Sequence, residues 1–285
     1  MLFLSKNVFF SRQSAPPTPA PVTPFSLDYL VIAGGGGGGG AWTNNNFGSG
    51  GGGAGGYLAG SATLSNLLTF NVIVGAGGGL ANVFNFLGLS GSDSVFDSSF
   101  LSVVSTGGGG GGRNGGSGGG NFANEPFGLG ISGQGFNGAK GPLDGHSGAG
   151  GGAGEAGGSG ATTAKGGDGL TWLDGIIRAG GGGGTRWNQA VNGALSGPGG
   201  AGGGGRGANT DVDPDVFATA GTINTGSGGG VGWPTSGYSD GQPGGSGIVK
   251  VRYTGTPRAT GGTITQSGGF TYHEFTSSGI LTFTS

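Results

Sequence analysis

The sequence predicts an all-β protein in which β-strands lead into runs of glycine, and in which those runs pack together as polyglycine II helices. Glycine supplies 82 of the 285 residues. Apolar, strand-like runs pass directly into glycine at several places, first in Leu27–Gly40 (LDYLVIAGGGGGGG). No segment shows a sustained apolar period of 3.6 residues, so little or no α-helix is expected.

The same joint recurs along the chain, as in FLSVVSTGGGGGG and LDGIIRAGGGGG, and in GGSGIVKVRYTG the glycines come before the strand. The apolar runs are rich in β-branched and aromatic residues and most of them end at glycine, which is typical of strands. The predicted strands are Asp28–Ala33, Leu67–Val74, Phe100–Ser105, Gly175–Ala179 and Ile248–Tyr253.

Glycine at this level more often indicates a flexible linker. A linker would not carry 17 phenylalanines and four tryptophans. Ordering glycine is costly, at roughly 1–2 kcal/mol per residue, so an ordered glycine run needs dense stabilisation. Polyglycine II supplies it, because a helix with three residues per turn and a rise of about 3.1 Å points every N–H and C=O outward, toward neighbouring helices.

The composition excludes several classes of function. Only 8% of residues are charged and the formal net charge is −2, so no basic face is available for nucleic acid. Cysteine is absent, which excludes disulfides and thiolate metal sites. No apolar run reaches the 18 residues of a membrane span. We therefore expect no nucleic-acid partner and no membrane insertion.

The chain divides into four predicted parts. Residues 1–12 form a docking peptide that inserts apolar side chains into a partner or a neighbouring subunit, with a first strand of the domain as the alternative. Residues 13–25 are rich in proline and form an extended, semi-rigid spacer. Residues 26–255 form the glycine-rich body. The inserting side chains are Leu2, Phe3, Leu4, Val8, Phe9 and Phe10.

The fourth part, residues 256–285, has less glycine and more threonine, serine and aromatic residues. The segment FTYHEFTSSGILTFT predicts a β-hairpin with strands Phe270–Thr276 and Ile280–Thr284 that completes a β-sandwich. His273 and Glu274 are adjacent and therefore point to opposite faces of a strand. We expect cross-strand polar contacts there and no catalytic pair.

No motif predicts an enzyme. Val72–Phe84 resembles a dinucleotide-binding turn, but a helix does not follow it convincingly. Asp211, Asp213 and Asp215 resemble the start of a calcium loop that lacks its glycine and closing glutamate, so a solvated acidic turn is favoured. No serine, histidine and acid form a convincing nucleophilic set. No catalytic, cofactor or metal residues are predicted.

Aromatic residues interrupt the glycine runs at the predicted turns between helices. Exposed aromatic rings stack on sugars or enter partner proteins, and asparagine amides both donate and accept hydrogen bonds. These residues are therefore candidates for a recognition surface, and the alternative is an apolar lid on the end of the bundle. The candidates are Trp42, Asn44, Asn45, Asn46, Phe47, Trp187, Asn188, Trp233 and Tyr238.

Four of these joints follow one another in the order YLVIAGGGGGGG, FNVIVGAGGG, IIRAGGGGG and GGSGIVKVRY. In this order they resemble the glycine-rich domain proteins of tailed bacteriophages, notably marine and cyanobacterial phages. The distal adhesins of T-even-type phages, with polyglycine II bundles, are more distantly similar. So is the glycine-rich domain of the anaplastic lymphoma receptor kinase, with its tumour-necrosis-factor-like sandwich. In many phage relatives the FTSSG-type hairpin precedes the first glycine joint, whereas here it is C-terminal.

The resemblance implies a jelly-roll or tumour-necrosis-factor-like β-sandwich with an inserted polyglycine II bundle. It also implies a virion fibre or tail-fibre protein, with the apolar N-terminal residues anchoring it to other virion proteins. The free end would contact a host polysaccharide or outer-membrane protein, and a homotrimer is expected by analogy. The alternative is a capsid or tail decoration or connector protein without receptor binding. An ice-binding protein is less well supported, because regular rows of threonine are missing.

Overall fold

A computed structural model describes residues 23–42, 47–80, 87–122, 125–142, 146–160, 163–188, 193–208, 216–232 and 238–284. At 41–42, 47–48, 186–188, 193–195 and 238 it describes the backbone alone. These residues contain no helix. The strands are β1 (Phe25–Ile32), β2 (Ala41–Trp42), β3 (Phe47–Gly48), β4 (Tyr57–Leu64), β5 (Thr69–Ile73), β6 (Ser94–Asp97), β7 (Ser102–Ser105), β8 (Leu170–Thr171), β9 (Ile177–Arg178), β10 (Thr185–Asn188), β11 (Gly193–Ser196), β12 (Tyr238–Ser239), β13 (Ile248–Thr254), β14 (Ala259–Thr260), β15 (Thr263–Ser267), β16 (Phe270–Phe275) and β17 (Gly279–Phe283).

Two five-stranded antiparallel sheets form a β-sandwich. The first has the order β15-β16-β13-β1-β4 and the second the order β14-β17-β5-β6-β7. Alternate residues of each strand face the other sheet, as Phe70 and Val72 do in β5. Phe70 and Phe96 stack with ring centroids 4.3 Å apart, and both are fully buried, as is Val31 of the opposite sheet. Burial of such side chains stabilises the sandwich by roughly 1.5–3 kcal/mol each.

The glycine run that follows β1 has the hydrogen-bond pattern of polyglycine II. Its successive N–H groups donate to three neighbouring segments in turn and return to each after three residues. Gly34 and Gly37 donate to Ser92 and Leu89, Gly35 and Gly38 to Gly245 and Gln242, and Gly36 and Gly39 to Gly53 and Gly50, at 2.8–3.0 Å. A period of three is that of the polyproline II geometry. The predicted polyglycine II packing is therefore confirmed for this run.

We call each such extended glycine-rich segment a thread. The thread 33–40 accepts hydrogen bonds through its carbonyls from three further threads, 75–80, 106–111 and 226–232. Only glycine fits between threads this close: a Cβ on Gly36 would lie 2.2 Å from the carbonyl oxygen of Gly109. The bundle is thus held together by backbone hydrogen bonds, and side chains between the threads would push the threads apart and break these bonds.

The predicted C-terminal hairpin is wrong in its pairing. Its two strands exist as β16 and β17, but β16 pairs with β13 and β15, whereas β17 pairs with β5 and β14. The turn at Ser277 and Ser278 therefore crosses from one sheet to the other. Both strands bury alternate side chains in the shared core, and this burial outweighs the local preference for a tight hairpin.

The predicted polar contacts of His273 and Glu274 are confirmed. His273 is fully buried, and its Nε2 lies 2.8 Å from the Tyr253 hydroxyl while its Nδ1 lies 2.7 Å from the Gly261 carbonyl oxygen. Burial lowers the pKa of His273, although the Gly261 carbonyl opposes this shift. The neighbouring Glu274 points to the other face and contacts Lys250 of β13 at 2.8 Å.

The molecule has two distinct ends. Strand β1 begins at Phe25 and runs toward the bundle, and β17 ends at Phe283 beside Leu68, at the end of β5 that is remote from the bundle. The rings of Phe25 and Phe283 lie 5.2 Å apart. The described chain therefore starts and finishes at one pole of the sandwich, which we call the proximal pole. The threads extend from the opposite end of the sandwich.

Candidate recognition face

The far end of the bundle is a second pole, formed where threads leave the sandwich and return to it. The thread 33–40 ends there and 49–56 begins, and the two are joined by a hydrogen bond from the Ser49 N–H to the Gly40 carbonyl. Eight residues at about 3.1 Å each place this end about 25 Å beyond β1. We call it the distal face.

Three of the predicted recognition residues meet in one small sheet at the distal face. This sheet has the order β12-β2-β3, so Trp42 of β2 pairs with Tyr238 on one side and with Phe47 on the other. The sequence separates Trp42 from Tyr238 by the whole bundle. The fold brings their backbones together because both segments continue threads that pack against each other, as Gly38 donates to Gln242.

A second hairpin at this end carries Trp187 and Asn188. Both lie in β10, which pairs with β11 so that Trp187 is opposite Ala194. Strand β10 starts at Thr185, which also bridges Ser147, and Ser147 in turn bridges Phe122. These bridges could not be predicted, because a single serine or threonine beside glycine has no distinctive sequence pattern.

Two predicted groups lie outside the described residues. They are the recognition residues Asn44, Asn45, Asn46 and Trp233, and the anchoring residues Leu2, Phe3, Leu4, Val8, Phe9 and Phe10. The acidic residues Asp211, Asp213 and Asp215 also lie outside them. Whether the aromatic residues form a recognition surface or an apolar lid stays a prediction.

A cluster of paired charges lies at the opposite end of the bundle, where the β8–β9 hairpin meets the sandwich. Both Asp174 oxygens accept hydrogen bonds from Arg178, at 3.1 and 2.8 Å, and Lys250 lies 2.8 Å from both Asp174 and Glu274. Burial alone would raise the pKa of Asp174, but hydrogen bonds from Arg178 and Lys250 outweigh it and hold this pKa well below its usual range. Because the cluster contains two cations and two anions, it joins bundle and sandwich without a net charge.

This cluster was not predicted, because its members are distant in sequence and unremarkable one by one. Trp172 completes it: the ring lies 5.9 Å from the Lys250 ammonium and packs edge-on against Tyr272. Neighbouring Tyr57 is also buried, and burial raises its pKa to about 12. With every charge paired, the arrangement offers structural support and no free acid or base.

Within the described part of the chain, no group of three or more histidine, aspartate or glutamate side chains is placed to hold a metal ion. Those same residues form no helix that is long and apolar enough to cross a membrane. The run from Gly75 to Leu80, which resembled a dinucleotide-binding turn, is a thread of the bundle. Asp93 nearby accepts a hydrogen bond from the Gly107 N–H at 2.8 Å, which is a structural contact.

The comparisons with known proteins agree with this architecture. A family profile described as a glycine-rich domain matches residues 16–254, which is well over half of the chain. No curated protein is significantly similar to the chain. The match covers the bundle and the strands up to β13, which are the segments where strands lead into threads. The chain therefore belongs to the glycine-rich domain family.

Proposed function

We propose that this protein is a structural component of a bacteriophage virion, a fibre or tail-fibre appendage that is anchored by its N-terminus and contacts the host surface. The observation that carries the proposal is the separation of the two poles. The described chain begins and ends at the proximal pole, whereas Trp42, Trp187 and Tyr238 lie at the distal face. An attached appendage needs this arrangement, with its tether at one end and its contact surface at the other.

The bundle between the poles suits a rigid spacer. Each interior thread is hydrogen-bonded to neighbours on all sides, so it cannot bend without breaking backbone hydrogen bonds. The charge cluster around Asp174 ties the base of the bundle to the sandwich. These features support a stiff element that holds the distal face away from the particle.

The distal face is proposed to bind a host polysaccharide or an outer-membrane protein. Tryptophan and tyrosine rings provide flat apolar surfaces that stack on sugars, and their polar edges donate hydrogen bonds. Two separate elements carry such residues at this face, the β10–β11 hairpin and the three-stranded sheet β12-β2-β3. A homotrimer would present several copies of the face together and raise the avidity of binding.

The virion assignment is tested by mass spectrometry of purified virions of the phage that encodes the chain, together with immunogold electron microscopy. The proposal predicts that the chain is present and that it labels a tail or capsid appendage. Absence of the chain from purified particles would refute the virion role.

Receptor binding is tested with purified protein on host cells. Trp42→Ala, Trp187→Ala and Trp233→Ala are each expected to abolish binding without unfolding the protein. The matched control is Phe100→Ala, since Phe100 is 59% exposed in the β6–β7 turn at the proximal pole. If all three variants bind like the parent protein, the distal face is not the contact surface. If the parent protein does not bind and the chain is in the virion, the decoration or connector role replaces the adhesin role.

A further inference from the structure

Strand β4 leaves one edge of the first sheet open. It is the last strand of that sheet and pairs only with β1. In an antiparallel pair, alternate residues direct their N–H and C=O away from the partner. Tyr57 does so and donates to the Gln134 carbonyl at 2.9 Å. Ala59, Ser61 and Thr63 follow the same alternation, and no backbone hydrogen bond reaches them from the part of the chain that the structure describes.

The open edge lacks the usual protection against pairing. Natural edge strands are typically guarded by charges, proline or bulges, because unpaired backbone groups attract other strands. The sequence of β4, YLAGSATL, contains no charge and no proline, and it extends over eight residues. The side chains of Ala59 and Ser61 are small and exposed, so they leave the backbone accessible.

A groove runs beside this edge and has an apolar wall. Its volume is about 360 Å³, and it lies between β4 and the β8–β9 hairpin, with Leu170 and Leu173 on the hairpin side. The hairpin exposes four aliphatic side chains, Leu170 (42%), Leu173 (53%), Ile176 (52%) and Ile177 (44%). An open strand edge beside apolar side chains is the combination that binds an extended peptide by adding a strand.

We propose that this groove binds residues 2–10 of a neighbouring copy of the chain as an added strand. The segment reads LFLSKNVFF, in which the only charged residue is Lys6. Its backbone can satisfy the open edge of β4, and its apolar side chains can cover the exposed side chains of the hairpin. Both surfaces belong to the same chain, and each has the chemistry that the other needs.

The length of the spacer favours a neighbouring copy over the same chain. The groove lies near Gly60, which is opposite Tyr29 in β1. That position is four residues from Phe25, or about 14 Å along the strand. Residues 13–24 contain five prolines, and in the extended geometry that proline favours such a spacer would span about 37 Å. That span exceeds the distance to the groove of its own chain and is long enough to bring residues 2–10 to the groove of a neighbouring copy.

Such a contact is heterologous, because the N-terminal segment of one copy meets the groove of the next. Heterologous contacts generate closed rings when the rotation closes. A ring of three copies would place each N-terminal segment along β4 of its neighbour, between the proximal pole and the bundle. The inference rests on the groove and the N-terminal sequence, and it would hold for this chain without the virion role. It assigns residues 2–10 to a contact between copies in place of a direct contact with other virion proteins, so that the assembled ring would be the part that attaches to the particle.

The test uses disulfide trapping, which is clean here because the chain has no cysteine. Ser5→Cys and Ser61→Cys are made as separate full-length variants, mixed, and oxidised mildly, and the products are identified by mass. In this mixture only contacts between copies can form the mixed disulfide. The matched control pairs Ser5→Cys with Ser102→Cys, since Ser102 is also exposed on an edge strand, β7 of the other sheet.

The mixed disulfide with Ser61→Cys is expected to form several-fold faster than that with Ser102→Cys. Adding Phe9→Asp to the Ser5→Cys chain should remove this difference, and unchanged unfolding midpoints would show that the variants fold. Equal rates in the two mixtures would overturn the proposal. A double variant, Ser5→Cys/Ser61→Cys, that cross-links only within one chain would also overturn it. Because the assay needs only purified protein, its failure would leave the virion test unaffected.

Discussion

A methyl group added at Gly78 should destabilise the bundle strongly, whereas the same change at the adjacent Gly79 should not. Both glycines lie in the thread 75–80. A Cβ at Gly78 would lie 2.0 Å from the Leu89 carbonyl oxygen, whereas at Gly79 its nearest contact is a Leu89 methyl at 3.5 Å. Ala76 is three residues before Gly79, so it occupies the same outward face of the three-fold helix, and it is exposed.

The cost at Gly78 follows from the hydrogen bonds that must yield. Ordinary contact begins at 3.4 Å, so the Leu89 carbonyl would have to move by about 1.4 Å, the difference from 2.0 Å. That movement breaks the bond from the Gly37 N–H to this carbonyl, now 2.9 Å long. Each buried backbone group left without a partner costs roughly 1–3 kcal/mol. Two such groups give about 2–6 kcal/mol.

Part of this cost is offset in the unfolded chain. Replacing glycine by alanine reduces the conformational entropy of the unfolded state, which stabilises the protein by roughly 0.4–1 kcal/mol. We therefore expect Gly78→Ala to lower the free energy of unfolding by about 1–5.5 kcal/mol. Gly79→Ala should change it by less than about 1 kcal/mol, in the stabilising direction.

Urea denaturation followed by tryptophan fluorescence measures both variants against the parent protein. The slope with denaturant should stay the same, so that the change in midpoint reports stability. Equal effects of the two substitutions would refute the reasoning, because in a flexible, unpacked glycine run the two positions would have the same surroundings.

Two further predictions concern the sandwich and its junction with the bundle. His273 is buried with a lowered pKa, so near pH 6 the folded state binds fewer protons than the unfolded state, and stability should fall as the pH drops below about 6.5, by at most about 1.4 kcal/mol per pH unit. Urea midpoints measured between pH 7.5 and 5 check this. A His273→Gln variant whose stability depends on pH as strongly as that of the parent protein would contradict it. Asp174→Asn leaves Arg178 and Lys250 without their shared anion and should cost about 3–5 kcal/mol. Its matched control is Asp168→Asn, in an exposed ion pair with Lys165, which should cost less than about 1 kcal/mol; equal losses in thermal or urea unfolding would show that the buried cluster does not hold the junction.

The local part of the fold could be predicted from the sequence. Four of the five predicted strands lie at β1, β5, β7 and β13, and the fifth survives only as the two residues of β9. Runs of valine, isoleucine and phenylalanine ending at glycine determine both strand and thread, because the signal lies within a few residues. The strands β4, β6 and β15 were missed, since YLAGSATL, SVFD and TITQS contain small or polar residues that are also common in loops.

The partners of the strands could not be predicted in the same way. FTYHEF and GILTF look like the two arms of a hairpin, yet the core places them in different sheets. The contact between Asp174 and Lys250 joins residues that are 76 positions apart in the sequence, and no local sequence pattern predicts it. At the distal face the sequence predicted the residue types, and the fold supplied the pairing of Trp42 with Tyr238.

The central claim is that the glycine runs pack against one another and are held by backbone hydrogen bonds between threads. Amide hydrogen exchange tests this claim most directly. The N–H groups of Gly34–Gly39 donate to neighbouring threads at 2.8–3.0 Å and lie in fully buried backbone. Their exchange is expected to be as slow as that of the core strand β13, since opening them requires separating the bundle. Exchange of these glycine amides at the rate of an unstructured peptide, while β13 remains protected, would contradict the account.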